Sequence, residues 1–180
     1  MTKTKTYGLV VCALFAALMC IFGPMSVPIG PVPISLTNLV IYLAVFLLGT
    51  KLGTTSYVVY LLLGAFGLPV FSGYAGGLGK LAGPTGGYLI GFIPMAIICG
   101  IFISKWMNKW YMMALGMVLG TLVAYLLGTI WFVIQLDCEV WYALTVCVFP
   151  FLLGDGIKIA ISLILGKEVR KRLLKAGLVE

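Results

Sequence analysis

Four runs of this chain contain no Asp, Glu, Lys or Arg: Thr6 to Thr50, Leu52 to Gly79, Leu81 to Ser104 and Trp110 to Leu136. Each is longer than the roughly 18 residues that mark a membrane-spanning helix. In hydrocarbon, every backbone N–H and C=O must be satisfied inside the protein, so such runs fold as helices packed into a bundle. Charged residues make up only 9% of the chain, against about 25% in a soluble domain. The expected fold class is an all-α integral membrane protein, one transmembrane domain over residues 1–180 with no appended soluble module. Lys3 and Lys5 precede the first apolar run, but Phe22, Gly23 and Pro24 lead into more membrane sequence. A cleavable signal peptide is therefore not expected.

Turn residues divide the runs into six expected transmembrane helices, at about 7–22, 34–48, 54–67, 85–104, 111–135 and 140–165. The GPMSVPIGPVP segment after the first is too proline-rich for a helix and too apolar for a solvated loop, so it is expected to fold back on the bundle. Gly49 to Gly53 reads as a tight turn. Pro94 is a candidate kink in the fourth helix. No internal repeat joins the two halves, which gives an inverted-repeat transporter little support.

Charge placement agrees with an even number of spans. Lys3 and Lys5, Lys51, Lys105 and Lys109, and the tail Lys167, Arg170, Lys171, Arg172 and Lys175 fall on one face of a six-helix arrangement. The other face carries Lys80 alone, with Asp137 and Glu139. The positive-inside rule then puts both termini in the cytoplasm of a multi-pass cell-membrane protein. The net charge of +7 is read as juxtamembrane attraction to anionic lipid, not as a nucleic-acid signal. Trp106, Trp110, Trp131 and Trp141 lie near expected helix ends, as interfacial anchors do.

The connection between the third and fourth helices is SGYAGGLGKLAGPTGGYLIGF, 72–92, with seven glycines from Gly73 to Gly87. That density rules out an ordinary helix or strand. One reading is a flexible extramembrane loop. The other is a shaped wall or lid over a small molecule, favoured by the interleaved Tyr74, Leu78, Leu81 and Tyr88 in place of the polar residues of a linker.

Five cysteines stand singly and there is no histidine, so neither a metal site nor a disulfide framework is expected. No HExxH, GxSxG or GxxxxGK[ST] motif occurs, so catalysis and nucleotide hydrolysis by this chain are not expected. The one pair of charges within an expected span is Asp155 and Lys158, in PFLLGDGIKIAIS. An ionisable residue at membrane depth marks a functional site by default. Their i,i+3 spacing also allows a mutual salt bridge that only accommodates its own burial. Gly154 and Gly156 on either side are expected to open the helix surface to a ligand. In the first helix, Ala13 and Ala17 make a small-xxx-small stripe, suited either to a partner helix or to packing within the bundle. Gly116 and Gly120 in the fifth form a similar pair, with internal packing expected.

In order, ALFAAL at 13–18, VPIGPVPISL at 27–36, LLGTKLGTTS at 47–56, LLLGAFGLPVFSG at 61–73, GGLGKLAGPTGGYLIGF at 76–92 and FPFLLGDGIKIAI at 149–161 resemble the BioY family. These are the biotin-specific substrate-binding components of prokaryotic energy-coupling factor transporters. The resemblance implies a six-helix membrane protein that binds biotin from outside with high affinity, biotin being cargo and not a cofactor. It implies as partners one transmembrane coupling protein and two ATPase subunits. It assigns Asp155 and Lys158 to biotin, the glycine-rich segment to the loop that closes over it, and Ala13 and Ala17 to docking on the coupling protein. Some members carry Asn in that loop and Arg directly after GGY, where this chain has Ala75 and Leu89. A frequent Gln early in the second helix is Thr37 here, followed by Asn38. The expected ligand set is therefore Asp155, Lys158, Tyr88, Tyr74, Ser72, Gly77, Gly86 and Asn38, with Thr85 as a further candidate. A stand-alone facilitator and a membrane enzyme acting on a lipid-like substrate are the competing classes. The first predicts uptake without coupling subunits. The second needs buried acids, metal ligands or a nucleophile that the chain does not offer.

Overall fold

The first apolar run forms helix α1, Lys5–Phe22, which stops at Gly23. A Cβ on Gly23 would sit 2.6 Å from the Tyr60 hydroxyl and from the Val70 carbonyl, so only glycine lets the chain leave the helix there. The computed structural model describes residues 5–28 and 30–175. Lys3, which the sequence groups with Lys5, lies outside the described residues. The proline-rich segment folds back as a short antiparallel hairpin of β1, Ser26–Val27, and β2, Ile34–Ser35, in register Ser26 to Ser35. It delivers the chain to helix α2, Thr37–Ala65.

Helix α2 comprises two arms, 37–48 and 50–65. Gly49 breaks it with φ 78° and ψ 176°, a conformation that suits glycine. The arms run back along each other so closely that a Cβ on Gly53 would lie 2.7 Å from the Val45 Cα. The expected turn at Gly49 is therefore a helical hairpin, and the arms correspond to the expected second and third helices.

Residues 66–85 connect this hairpin to the next helix. They contain a five-residue helix α3, Leu78–Ala82, which the glycine density had argued against. Helix α4, Gly86–Lys105, runs through Pro94. Helix α5, Trp110–Leu136, packs along it. Gly116, Gly120 and Gly128 on α5 face Phe102, Cys99 and Tyr88 of α4, so the Gly116–Gly120 pair serves internal packing, and small residues let the two backbones approach.

The last expected span is split into α6, Val140–Cys147, and α7, Phe149–Lys175. Pro150 has no N–H to continue the ladder. At the break, the Phe151 N–H donates to the Val148 carbonyl (3.0 Å). The Cys147 carbonyl accepts the Tyr88 hydroxyl instead (3.1 Å).

Among the described residues, four helical stretches, 37–65, 86–105, 110–136 and 140–172, are long and apolar enough to cross a membrane, and 6–22 is a shorter apolar helix. With the two arms of α2 taken separately, six helical passes follow in the expected order. Leu52 lies against Gly8, Thr50 is 3.4 Å from Ser104, and Arg170 donates to the Phe46 carbonyl (2.9 Å). The start of α1, the α2 bend, the end of α4 and the last part of α7 thus share one end of the bundle. Lys51, Lys105, Lys109, Lys167 and the basic tail gather there. The opposite end holds the β-hairpin and the 66–85 connection.

Candidate ligand-binding site

Asp155 and Lys158 lie on α7 and point inward, with only 5% and 7% of their surfaces exposed. Lys158 Nζ is 2.9 Å from Asp155 Oδ1. A buried pair of this kind persists only when its remaining donors and acceptors are also met. Here α2 and α5 supply the partners. Asn38, in the first turn of α2, donates through Nδ2 to Asp155 Oδ1 (2.8 Å), and its Oδ1 accepts Lys158 Nζ (2.9 Å). Its amide orientation follows from chemistry, since a carboxylate only accepts and an ammonium only donates. Lys158 also donates to the Ser35 carbonyl on β2 (2.8 Å). Tyr125, midway along α5, donates to Asp155 Oδ2 (2.6 Å). The salt bridge and the functional reading of this pair are thus joined in one network.

The network forms one side of a cavity between the β-hairpin, both arms of α2, the 66–85 connection, the start of α4, α5 and α7. Val32, Pro33, Leu89, Phe92 and Phe151 give it apolar walls, and Tyr60, Ser72, Thr85, Tyr88, Thr121 and Tyr125 add polar tips. An apolar chamber with a few convergent polar groups is the form of a small-molecule site. Most of those tips are already engaged. The Tyr60 hydroxyl donates to the Val70 carbonyl (3.0 Å), and Thr121 donates to the Met117 carbonyl (2.7 Å) while also meeting Tyr42 (2.6 Å). The Thr85 hydroxyl is buried without a partner among the described residues.

Of the expected ligand residues, the structure brings Asp155, Lys158, Asn38, Tyr88 and Ser72 to this cavity, with Thr85, Thr37 and Leu89. It does not bring Tyr74, Gly77 or Gly86 there. Tyr74 is 69% exposed, in the left-handed region at φ 57°. Gly77 has φ 87° and open space beyond its Cα, and Gly86 packs against the Leu81 carbonyl. Gly154 and Gly156 likewise face open space and not the cavity. The glycine-rich connection is tied down by its backbone. Gly77 N–H donates to the Gly64 carbonyl (2.7 Å), while Trp131 and Gln135 of α5 donate to the Gly83 and Ala82 carbonyls (2.9 and 2.8 Å). Trp131, expected as an interfacial anchor, is thus a clamp on this segment. Ala13 and Ala17 are exposed on α1, while Cys12, Ala16 and Met19 face the bundle.

Sequence reasoning missed Tyr125. A signal existed: Thr121, Tyr125 and Thr129 recur every four residues, one polar stripe on an otherwise apolar helix. The structure uses all three, Thr129 lying 3.3 Å from the Tyr88 hydroxyl.

The family model described as BioY family matches residues 1–175. The chain belongs to the BioY family. It is 38% identical to the probable biotin transporter BioY of Pyrococcus horikoshii, over 93% of this chain and 98% of that protein. It is 37% identical to the biotin transporter BioY of Thermotoga maritima, over 91% of this chain and 95% of the other. Its fold is similar to the crystal structure of the S-component for biotin from an ECF-type ABC transporter, with a TM-score of 0.86 and 32% identity over 95% of this chain and 94% of that one. The family is one of transporters, not enzymes, and its members are multi-pass membrane proteins.

Proposed function

We propose that this chain is the biotin-binding subunit of an energy-coupling factor uptake transporter and that the cavity beside Asp155 and Lys158 holds the vitamin. The observation that carries the reading is the Asp155–Lys158–Asn38–Tyr125 network facing a chamber with apolar walls and a few polar tips in a BioY-family chain. Biotin matches such a host, with a polar ureido ring, an apolar thiolane ring and an apolar chain. Phe92, Phe151 and Leu89 cover the apolar parts, while Asp155 and the unpartnered Thr85 hydroxyl meet the ureido group. Biotin is cargo, and the site calls for no cofactor.

The basic end faces the cytoplasm of the cell membrane, with both termini, and the cavity opens toward the outside. Energy comes from a transmembrane coupling protein and two ATPase subunits. Ala13 and Ala17 dock the coupling protein. Their exposure on α1 supports this over packing within the bundle, because small residues in lipid let a partner helix come close. Tryptophan at both positions is expected to leave biotin binding intact and abolish co-purification of the coupling protein. Calorimetric titration of the purified chain against a panel of vitamins tests the main reading. Sub-micromolar binding of biotin alone is expected, and absence of biotin binding refutes it.

A further inference from the structure

Within the cavity the charged network is closed on its cationic side and open on its anionic side. An ammonium has three donors, and Lys158 directs all three at acceptors: the Ser35 carbonyl, Asn38 Oδ1 and Asp155 Oδ1. Asp155 is less fully engaged. Its Oδ1 accepts from Asn38 and Lys158, but among the described residues its Oδ2 accepts only from Tyr125. A carboxylate offers about four acceptor positions, so one remains on Oδ2. What the network holds out to a ligand is therefore an acceptor, suited to an N–H. It has no spare N–H for a carboxylate.

No other cation lines the cavity among the described residues, and Asp155 with Lys158 sums to zero charge. The position after the GGY motif is Leu89, which adds apolar wall. A ligand carboxylate pushed inward would lose water and gain no counter-charge, a strongly unfavourable exchange.

On the reading that the ligand is biotin, we infer that its ureido ring enters first, with one ring N–H on Asp155, and that its carboxylate stays in water at the mouth without a cation to read it. Free biotin is then one member of a wider substrate class. Biotin whose carboxyl is capped as a neutral carboxamide, or joined by an amide bond to the side chain of lysine, is also a ligand of this chain.

Competition binding on the purified full chain tests this with four probes: biotin, biotin carboxamide, biotinyl-lysine and biotin methylated on a ureido nitrogen. Both capped forms are expected within about tenfold of biotin, and the ring-methylated form more than about tenfold weaker, for loss of a hydrogen bond to a charged group. Tight biotin binding with capped forms more than about tenfold weaker overturns the inference and leaves the biotin reading standing. Ring-methylated biotin binding as well as biotin also overturns it. Failure of biotin itself to bind refutes both. Lys80, the basic residue of α3, does not line the cavity, so Lys80→Gln is expected to leave the ratio of biotin to carboxamide affinity unchanged. A ratio that collapses in this variant makes Lys80 the carboxylate reader and overturns the inference.

Discussion

The polar cluster on α7 and the glycine-rich connection at 66–85 both stand out in the sequence, and the structure gives them opposite jobs. The cluster puts charged side chains into the cavity from a rigid helix, with partners on α2 and α5. The connection sends only Ser72 and Thr85 there. Its glycines instead serve backbone that must bend to positive φ at Gly67, Gly73 and Gly77 or pass close to another chain segment at Gly76, and Gly86 at the start of α4 packs against the Leu81 carbonyl. Polar residues at membrane depth report a site directly. Glycines report geometry, and that geometry lies beside the cavity more than against it.

The largest expected effect comes from removing one half of the buried pair. Asp155→Ala leaves Lys158 buried beside Asn38 and the Ser35 carbonyl without a counter-charge, at a cost of about 3–5 kcal/mol. Thermal unfolding in detergent should show a large fall in Tm. The double variant Asp155→Ala, Lys158→Met removes both charges and should recover most of that loss while still failing to bind biotin. Recovery of binding with stability would mean that the cluster is structural only.

A smaller effect is expected for Tyr125→Phe. It deletes the hydroxyl that donates to Asp155 Oδ2 and leaves the ring in place. A hydrogen bond to a charged group contributes about 1.5–3 kcal/mol, and biotin affinity by calorimetry should fall by that order or less. Unchanged affinity would remove Tyr125 from the site. Least of all, Tyr74→Ala should change affinity by less than about 0.5 kcal/mol, as for an exposed surface position. A loss of binding there would return the glycine-rich segment to the role of ligand wall.

The parts of the fold that were legible rest on strong local physics. Charge-free runs gave the helical passes, and Gly49 with its neighbours gave the hairpin because a tight reversal needs a backbone that glycine alone adopts readily. The β-hairpin at 26–35 was not legible, since its prolines argue against helix without naming an alternative. The break at Val148 was hidden because Pro150 lies within an apolar run that continues on both sides. In the site, Asp155 and Lys158 announce themselves by charge, and Asn38 was reached only through the family resemblance, which places a polar residue early in the second helix. Tyr125 did not, because its burial and its bond to Asp155 depend on how α5 faces α7, which periodicity alone leaves open. The placement of Tyr74 was not legible for the converse reason: an aromatic among glycines reads as a wall, whereas here its backbone is left-handed and its side chain exposed.

The contrast between the two regions comes down to one paired titration. Biotin is titrated calorimetrically into Asp155→Asn and into Gly77→Ala, each corrected for its folded fraction. Asp155→Asn keeps the side-chain shape and removes the charge that faces the cavity. Gly77→Ala strains a φ of 87° outside it. The expected result is at least about a fivefold loss of affinity for Asp155→Asn, from about 1–3 kcal/mol, and less than about a threefold change for folded Gly77→Ala. Wild-type affinity in Asp155→Asn beside a large loss in Gly77→Ala would contradict the placement of the biotin site on the α7 cluster.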